Sequence, residues 1–105
     1  MGKYEEIKDR SSGDFRRLTG VGKAAFLKMA EAVVRHENER KKIAGRPLKL
    51  SYEDQVLMTL EYNREYRTYF HISADYGISE ANCYKLIKKT EDILRAGGFR
   101  LPERK

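Results

Sequence analysis

Apolar residues recur three and four positions apart through most of this chain, which is the spacing of helices that bury one face. The clearest stripe, in a helix predicted from about Lys23, consists of Phe26, Met29, Ala30, Val33 and Val34. A later helix is predicted to start at Ser51, whose side chain would cap it, and to bury Val56, Leu57 and Leu60. No segment alternates in the manner of a strand, so we predict an all-α fold in a small helical bundle.

The stretch from Thr68 to Lys89 predicts two helices joined by a tight turn. Gly77 lies where a left-handed backbone is needed, which glycine adopts at the least cost. Apolar residues fall on both sides of it where a helix-turn-helix must bury side chains: Ile72, Tyr76, Ile78, Cys83 and Leu86. Thr68 and Ser79 are suitable N-caps for the two helices. An ordinary αα-hairpin shares this glycine and this spacing, so the pattern alone leaves both structures open.

The second of these helices would carry small, polar and basic side chains on the face opposite its apolar residues. Such a face suits the major groove of DNA, and we predict base contacts from four of its residues: Glu80, Ala81, Asn82 and Lys85. Asparagine can pair with adenine, and lysine can donate to guanine. Glu80 could instead stabilise the start of the helix. Tyr84 could either pack or touch the DNA backbone.

The charge of the chain favours a polyanionic partner. The 105 residues carry a net charge of +6, with a pI near 9.5, which fits nucleic acid or an acidic membrane surface. Residues 35–49 hold six basic side chains against two acids, whereas 51–78 hold two against five. This segregation favours one nucleic-acid-binding face, although basic side chains that merely solvate a helix end would give the same pattern. We predict phosphate contacts from Lys41, Lys42, Arg46, Lys49, Ser79, Lys88 and Lys89.

The sequence lacks the motifs of common catalytic and cofactor sites: it has no P-loop, no dinucleotide fingerprint, no HExxH and no Cys/His cluster. Glu53 with Asp54, and Glu91 with Asp92, are adjacent acids that point about 100° apart on a helix, and we interpret them as helix-start and solvated surface charges. Cys83 is interpreted as a small buried residue. We therefore predict no cofactor, no metal site, no small-molecule substrate and no enzymatic activity in this chain.

Breaks in these patterns divide the chain into three parts. We predict a loose N-terminal segment over 1–12, a helical DNA-binding domain over 13–97 with the helix-turn-helix at 68–89, and a C-terminal tether over 98–105. Asp14 would cap a short helix that carries Phe15 and Leu18. The sequence has no apolar run of the ~18 to 20 residues that a membrane span needs, and no signal peptide. We therefore expect a cytoplasmic, nucleoid-associated protein without a membrane partner.

Several blocks of the sequence resemble the amino-terminal part of transposases of the insertion-sequence-five type, within the larger group that uses an Asp-Asp-Glu catalytic triad. The blocks stand in this order: GRP, LS-EDQ-LMTLEY, REYRTYFHI, YGISE and ED-L. DFRRLTGVGKAAFLKM resembles the segment that precedes them, and GGFRLP resembles the link that follows. The resemblance implies a helical domain that binds the terminal inverted repeats, followed by a separate ribonuclease-H-like domain that binds divalent metal and cuts and joins strands.

The sequence ends about where the first catalytic strand of such a transposase would be expected, so the catalytic acids of the family have no positions here. Double-stranded DNA is therefore the expected partner, and a transposase catalytic subunit or self-association is a further possibility. The alternative function is a protein–protein interaction or dimerisation module, or a regulator derived from a transposase fragment.

Overall fold

A computed structural model describes residues 3–40, 50–65 and 67–101 of the chain. The helices are α1 (Lys3–Ile7), α2 (Ser12–Thr19), α3 (Lys23–Arg40), α4 (Tyr52–Arg64), α5 (Tyr69–Tyr76) and α6 (Glu80–Ala96). Within these ranges the chain forms no β-strand, which confirms the prediction of an all-α fold. No helix of the described ranges is long and apolar enough to cross a membrane.

Helix α4 is the centre of the bundle, because its sides contribute to two different apolar clusters. The first cluster joins α4 to α2, α3 and the C-terminal part of α6, and includes Phe15, Phe26, Met29, Val33, Val56, Leu60 and Leu94. The second joins α4 to α5 and the N-terminal part of α6, and contains Leu50, Met58, Ile72, Tyr76, Cys83 and Ile87. Since α4 is buried without interruption from Asp54 to Leu60, it fixes α5 and α6 to the rest of the domain.

The N-terminal residues differ from the prediction. The segment that we expected to be loose contains α1, whose Tyr4 ring stacks on Phe26 with ring centroids 5.2 Å apart. The backbone N–H of Tyr4 also donates to Oδ1 of Asp54 at 2.8 Å. Ordering of α1 therefore depends on an aromatic ring of α3 and on a carboxylate of α4 that lies fifty positions further along the sequence.

Helix α2 begins three residues earlier than predicted. Its N-cap is Ser11, whose Oγ accepts from the backbone N–H of Asp14 at 3.2 Å, so Asp14 lies inside the helix. The helix carries Phe15 and Leu18 as predicted. Its buried residues are Phe15 and Thr19, which lie four positions apart on one face, whereas Leu18 is 45% exposed.

The caps of the later helices are as predicted. Oγ of Ser51 accepts from the N–H of Asp54 at 3.0 Å at the start of α4. At the starts of α5 and α6, the hydroxyls of Thr68 and Ser79 each accept, at 3.1 Å, from the backbone N–H three residues on. These bonds satisfy N–H groups that have no partner within the helix.

Gly77 forms the turn between α5 and α6 in the conformation that was predicted. Its φ of 70° and ψ of 33° are left-handed. Its N–H donates to the carbonyl of Ala74, and the N–H of Ile78 donates to the carbonyl of Ser73 at 3.1 Å. This arrangement closes the last turn of α5 and lets the chain reverse direction within three residues before α6 begins.

The predicted C-terminal tether begins inside the fold. Gly97 and Gly98 end α6 as expected, with a φ of 86° at Gly98. Beyond them, Leu101 is 8% exposed and belongs to the first cluster, and Phe99 packs against the same cluster. The folded domain therefore extends at least to Leu101, because two apolar side chains after the glycines return to the core; residues 102–105 lie outside the described ranges.

Candidate nucleic-acid interface

Helix α6 buries one face and exposes the other. Cys83, Ile87 and Leu94 are fully buried against the preceding helices. The residues predicted to contact bases are all exposed: Glu80, Ala81, Asn82 and Lys85. Since successive residues of a helix are about 100° apart, Ala81, Lys85 and Lys88 lie together near the middle of this surface, which we call the exposed face of α6. The structure thus brings the predicted base-contact residues to one accessible surface.

The predicted phosphate-contact residues fall into three groups. Lys88 lies on the exposed face of α6, and Ser79 is exposed at the N-terminal end of the helix. Lys89 is half-buried, and its Nζ lies 3.4 Å from Oε2 of Glu37 on α3. The other four lie outside the described residues: Lys41, Lys42, Arg46 and Lys49.

A buried polar contact fixes α6 against α4. The amide Nδ2 of Asn63 donates to Oε2 of Glu91 at 2.8 Å, and each residue is only 5% exposed. Nη1 of Arg95 lies 3.8 Å from the other carboxylate oxygen of Glu91. Our interpretation of Glu91 as a solvated surface charge is therefore wrong. The sequence did contain a signal, because Glu91 follows Cys83 and Ile87 at intervals of eight and four on the buried face.

Asp54 lies in the first turn of α4, in agreement with its interpretation as a helix-start acid, but it is also buried. It is 2% exposed, and its Oδ1 accepts the N–H of Tyr4. Asp54 precedes Leu57 and Met58, both buried, by three and four residues, so helix periodicity also pointed to burial here. Its partner is a backbone group of α1, which no local pattern would indicate.

The junction between α4 and α5 is a network of charged and phenolic groups. The hydroxyl of Tyr76 donates to Oε2 of Glu61 at 2.8 Å, and Nη1 of Arg67 lies 3.3 Å from Oε1 of the same carboxylate. Arg67 also forms an ion pair with Asp75 on α5. Burial raises the pKa of Glu61, and the Tyr76 hydroxyl, Lys3 and Arg67 oppose this shift. These contacts fix the orientation of α5 and, through the turn, of α6.

Three tyrosines form a continuous aromatic contact from α4 to α6. The rings of Tyr62 and Tyr69 stack with centroids 4.5 Å apart and an interplanar angle of 11°. The ring of Tyr84 meets Tyr69 edge-on, at 5.2 Å and 81°. Burial, followed by a hydrogen bond with Tyr62, raises the pKa of Tyr69. Tyr62 and Tyr69 are half-buried, whereas Tyr84 is 48% exposed at the edge of the exposed face of α6.

Within the described ranges, no group of three or more His, Cys, Asp or Glu side chains is placed to hold a metal ion. Nδ1 of His71 lies 2.9 Å from the hydroxyl of Thr68. Burial raises the pKa of Cys83 to about 11. At neutral pH this side chain is therefore a protonated thiol in the second cluster and not a nucleophile.

A helical bundle with a glycine turn between α5 and α6, and with an exposed face on α6 that carries lysines, defines a helix-turn-helix protein. Residues 48–98 match the family described as the helix-turn-helix of DDE superfamily endonuclease. The chain is also 42% identical over 104 residues to the probable transposase for insertion sequence element IS702 of Microchaete diplosiphon. No solved structure matches the chain. Residues 48–98 therefore carry a helix-turn-helix of the kind found in DDE superfamily endonucleases, and the predicted likeness to transposases is confirmed.

The comparison with the transposase covers 98% of this chain and 37% of that protein's length. The family match lies on the helix-turn-helix, which is the DNA-binding part of a transposase. Residues 48–98 therefore correspond to the helix-turn-helix part of such a protein. A helix-turn-helix of this family indicates DNA binding as the general function.

Proposed function

We propose that this domain recognises the terminal inverted repeats of an insertion sequence, with α6 in the major groove of the repeat. The observation that supports this most strongly is the division of α6 into a fully buried face and an exposed face that carries Lys85 and Lys88. In helix-turn-helix proteins the helix that follows the turn is the recognition helix, which contacts base edges in the major groove. Such a role would place the protein with the nucleoid in the cytoplasm.

The residues of the exposed face divide by chemistry into two roles. Asn82 and Lys85 offer amide and ammonium groups for base edges, and Ala81 offers a methyl group for contact with thymine. Glu80 can accept from cytosine or stabilise the start of α6. Ser79, Lys88 and Lys89, with the basic residues of the 41–49 segment, are assigned to phosphates, where they would fix the register of the helix.

The test compares the dissociation constants for a duplex of the inverted repeat that flanks the gene and for a shuffled duplex of the same composition. Asn82→Ala and Lys85→Ala should reduce the preference for the repeat by ~1 to 3 kcal/mol each. Lys88→Ala should weaken both duplexes alike and lower the salt slope by about 1. Lys28→Ala, an exposed lysine of α3, is the charge-matched control and should change neither quantity.

Two outcomes would contradict this proposal. The first is a wild-type protein that binds the repeat and the shuffled duplex equally. The second is an equal loss on both duplexes in the Asn82, Lys85 and Lys88 variants, which would remove the division between base and phosphate contacts.

Because no catalytic group is assigned to these residues, incubation of the duplex with the protein and Mg²⁺ or Mn²⁺ should give no nicked product.

A protein–protein role is the alternative, and a groove between α3 and α6 is the observation that favours it. The groove has a volume of about 540 Å³ and includes Ala32, Ile93 and Ala96 among its lining residues. It could receive a second copy of the chain or a transposase catalytic subunit. The C-terminal segment does not offer its apolar residues to a partner, because Phe99 and Leu101 pack in the domain itself. Absence of duplex binding at low salt, with a dimeric mass by light scattering, would favour this alternative.

A further inference from the structure

We propose that Tyr84 contacts a thymine methyl group in the major groove and so adds sequence preference to α6. This inference rests on the proposed function, since it requires α6 to lie in the groove. Tyr84 stands next to Lys85 in the sequence and is 48% exposed, although the other large apolar residues of the helix, Leu86, Ile87, Ile93 and Leu94, are buried or half-buried.

The position of Tyr84 on the helix gives it access to one side of the groove. At about 100° per residue, Tyr84 and Asn82 lie on opposite sides of Lys85. When Lys85 points into the groove, Asn82 therefore faces one strand and Tyr84 faces the other. The two flanks differ in chemistry, because one carries an amide and the other an aromatic ring.

The ring of Tyr84 is held in place before any DNA binds. Tyr69 of α5 contacts it edge-on at 5.2 Å, and Tyr69 is itself stacked on Tyr62 of α4. Both supporting tyrosines pack against the second apolar cluster. A side chain that is already restricted loses little conformational freedom on binding, whereas a long lysine must be immobilised. The ring of Tyr84 is therefore already positioned to contact a base when α6 enters the groove.

Thymine is the base that matches this side chain. Among the four bases it alone presents a methyl group in the major groove, and apolar side chains recognise that methyl by contact. The tyrosine ring provides an apolar edge for the contact, while its hydroxyl can remain in water. Lys88, exposed on the same helix and assigned to phosphate, supplies positive charge that would hold the DNA backbone near the ring.

The experiment starts from the duplex that the full chain binds most tightly in a selection from a random 20-base-pair pool. Each thymine of that duplex is then replaced in turn by deoxyuridine, which lacks only the methyl group. For the wild type, at least one replacement should raise the dissociation constant about fourfold, the size expected for one buried methyl-sized group. Equal affinity for all the replaced duplexes would overturn the inference.

The variants identify the residue that makes the contact. Tyr84→Ala and Tyr84→Gln should weaken binding and abolish the thymine-to-deoxyuridine ratio at that position, while Tyr84→Phe should keep the ratio. Phe70→Ala removes an aromatic residue of α5 that is 62% exposed, and as the control it should also keep the ratio. Melting curves verify that each variant is folded.

Three results would overturn the inference, and they separate it from the proposed function. If the ratio persists in Tyr84→Ala and Tyr84→Gln, another residue reads the methyl group, although specific binding stands. If Tyr84→Phe abolishes the ratio as Tyr84→Ala does, the preference depends on the hydroxyl, and the ring does not read the methyl group. If the selection enriches no duplex at all, sequence-specific binding itself fails, and the inference fails with it.

Discussion

Nζ of Lys89 lies 3.4 Å from Oε2 of Glu37, so an ion pair joins the second helix of the helix-turn-helix to α3. Nδ1 of His36 is 3.5 Å from the same carboxylate oxygen. Lys89 was assigned to phosphate contact from the sequence. In the free protein its charge is instead directed towards an internal carboxylate, and a phosphate would have to compete with Glu37 for it.

This competition predicts that Glu37→Gln strengthens DNA binding. Without the carboxylate, Lys89 would be available to a phosphate, and the slope of log affinity against log salt should become steeper by about 0.9, the value for one added contact. The measurement is a salt titration by fluorescence anisotropy with a random duplex. Adding Lys89→Ala to the Glu37→Gln protein should reverse the gain.

Glu31→Gln is the matched control for that experiment. It removes the same charge from α3, but the ion pair of Glu31 among the described residues is with the exposed Arg35, at 3.8 Å. Its salt slope should remain that of the wild type. Equal steepening in Glu31→Gln and Glu37→Gln would show that net charge is responsible, and that Lys89 is not restrained by its ion pair.

Gly77→Ala tests the turn between α5 and α6. The φ of 70° is left-handed, and a Cβ at this position would meet no atom within 4 Å, so the cost arises from the backbone alone. We expect a loss of ~1 to 2 kcal/mol and a melting temperature lower by roughly 4 to 8 °C per kcal/mol.

Gly13→Ala provides the opposite control. Gly13 lies within α2, its added Cβ would likewise meet nothing within 4 Å, and its φ is not positive. The substitution should stabilise the protein by about 0.5 to 1 kcal/mol, because alanine favours the helix. A Gly77→Ala protein that melts at or above the wild-type temperature would show that the left-handed turn is not required.

Features of the fold that depend on neighbours in the sequence could be predicted. Ser51, Thr68 and Ser79 cap their helices through N–H groups three residues on, and the left-handed turn at Gly77 likewise involves only adjacent residues. The exposure of Lys85 also followed from helix periodicity. Whether these exposed residues contact bases is a matter of DNA geometry, and that assignment stays a prediction.

Features that depend on distant partners could not be predicted. The order of α1 requires Asp54 of α4, and the position of Lys89 requires Glu37 of α3. Neither pairing has a local pattern, because opposite charges and free N–H groups occur throughout the sequence. The burial of Glu91 was recoverable from its spacing, but a carboxylate is rarely buried without a partner, and the partner Asn63 is 28 residues away.

Because Asn63 donates to the buried carboxylate of Glu91, we expect removal of its amide to destabilise the protein. Asn63→Ala leaves a buried carboxylate without its 2.8 Å donor and should lower the free energy of unfolding by ~1 to 3 kcal/mol. Asn38→Ala, at an exposed position of α3, should change it by less than about 0.5 kcal/mol. Urea denaturation measures both. In a double-mutant cycle with Glu91→Ala, a coupling energy near zero would mean that this hydrogen bond does not stabilise the α4–α6 contact.

We expect the free energy of unfolding to depend on pH through Glu61, and the burial of this carboxyl sets the sign of the dependence. Because burial raises the pKa of this carboxyl above its unfolded value, the folded state binds the proton more tightly. The stabilisation from Glu61 is therefore complete below the ordinary pKa of a glutamate carboxyl, and it is lost as the pH rises through the higher pKa of the folded state. Glu61→Gln cannot ionise, so it should not lose this stabilisation. The difference in the free energy of unfolding, variant minus wild type, should therefore increase as the pH rises across this window.

Tyr76→Phe tests the cause of that shift. The Tyr76 hydroxyl donates to the ionised carboxylate and opposes the effect of burial. Its removal should raise the pKa of Glu61 further and extend the window to higher pH. The comparison uses urea midpoints measured from pH 4 to pH 8. The four proteins are the wild type, Glu61→Gln, Tyr76→Phe and the double variant. A Glu61→Gln difference that does not vary with pH would show that Glu61 titrates alike in the folded and unfolded states, so burial at the α4–α5 junction would carry no electrostatic cost.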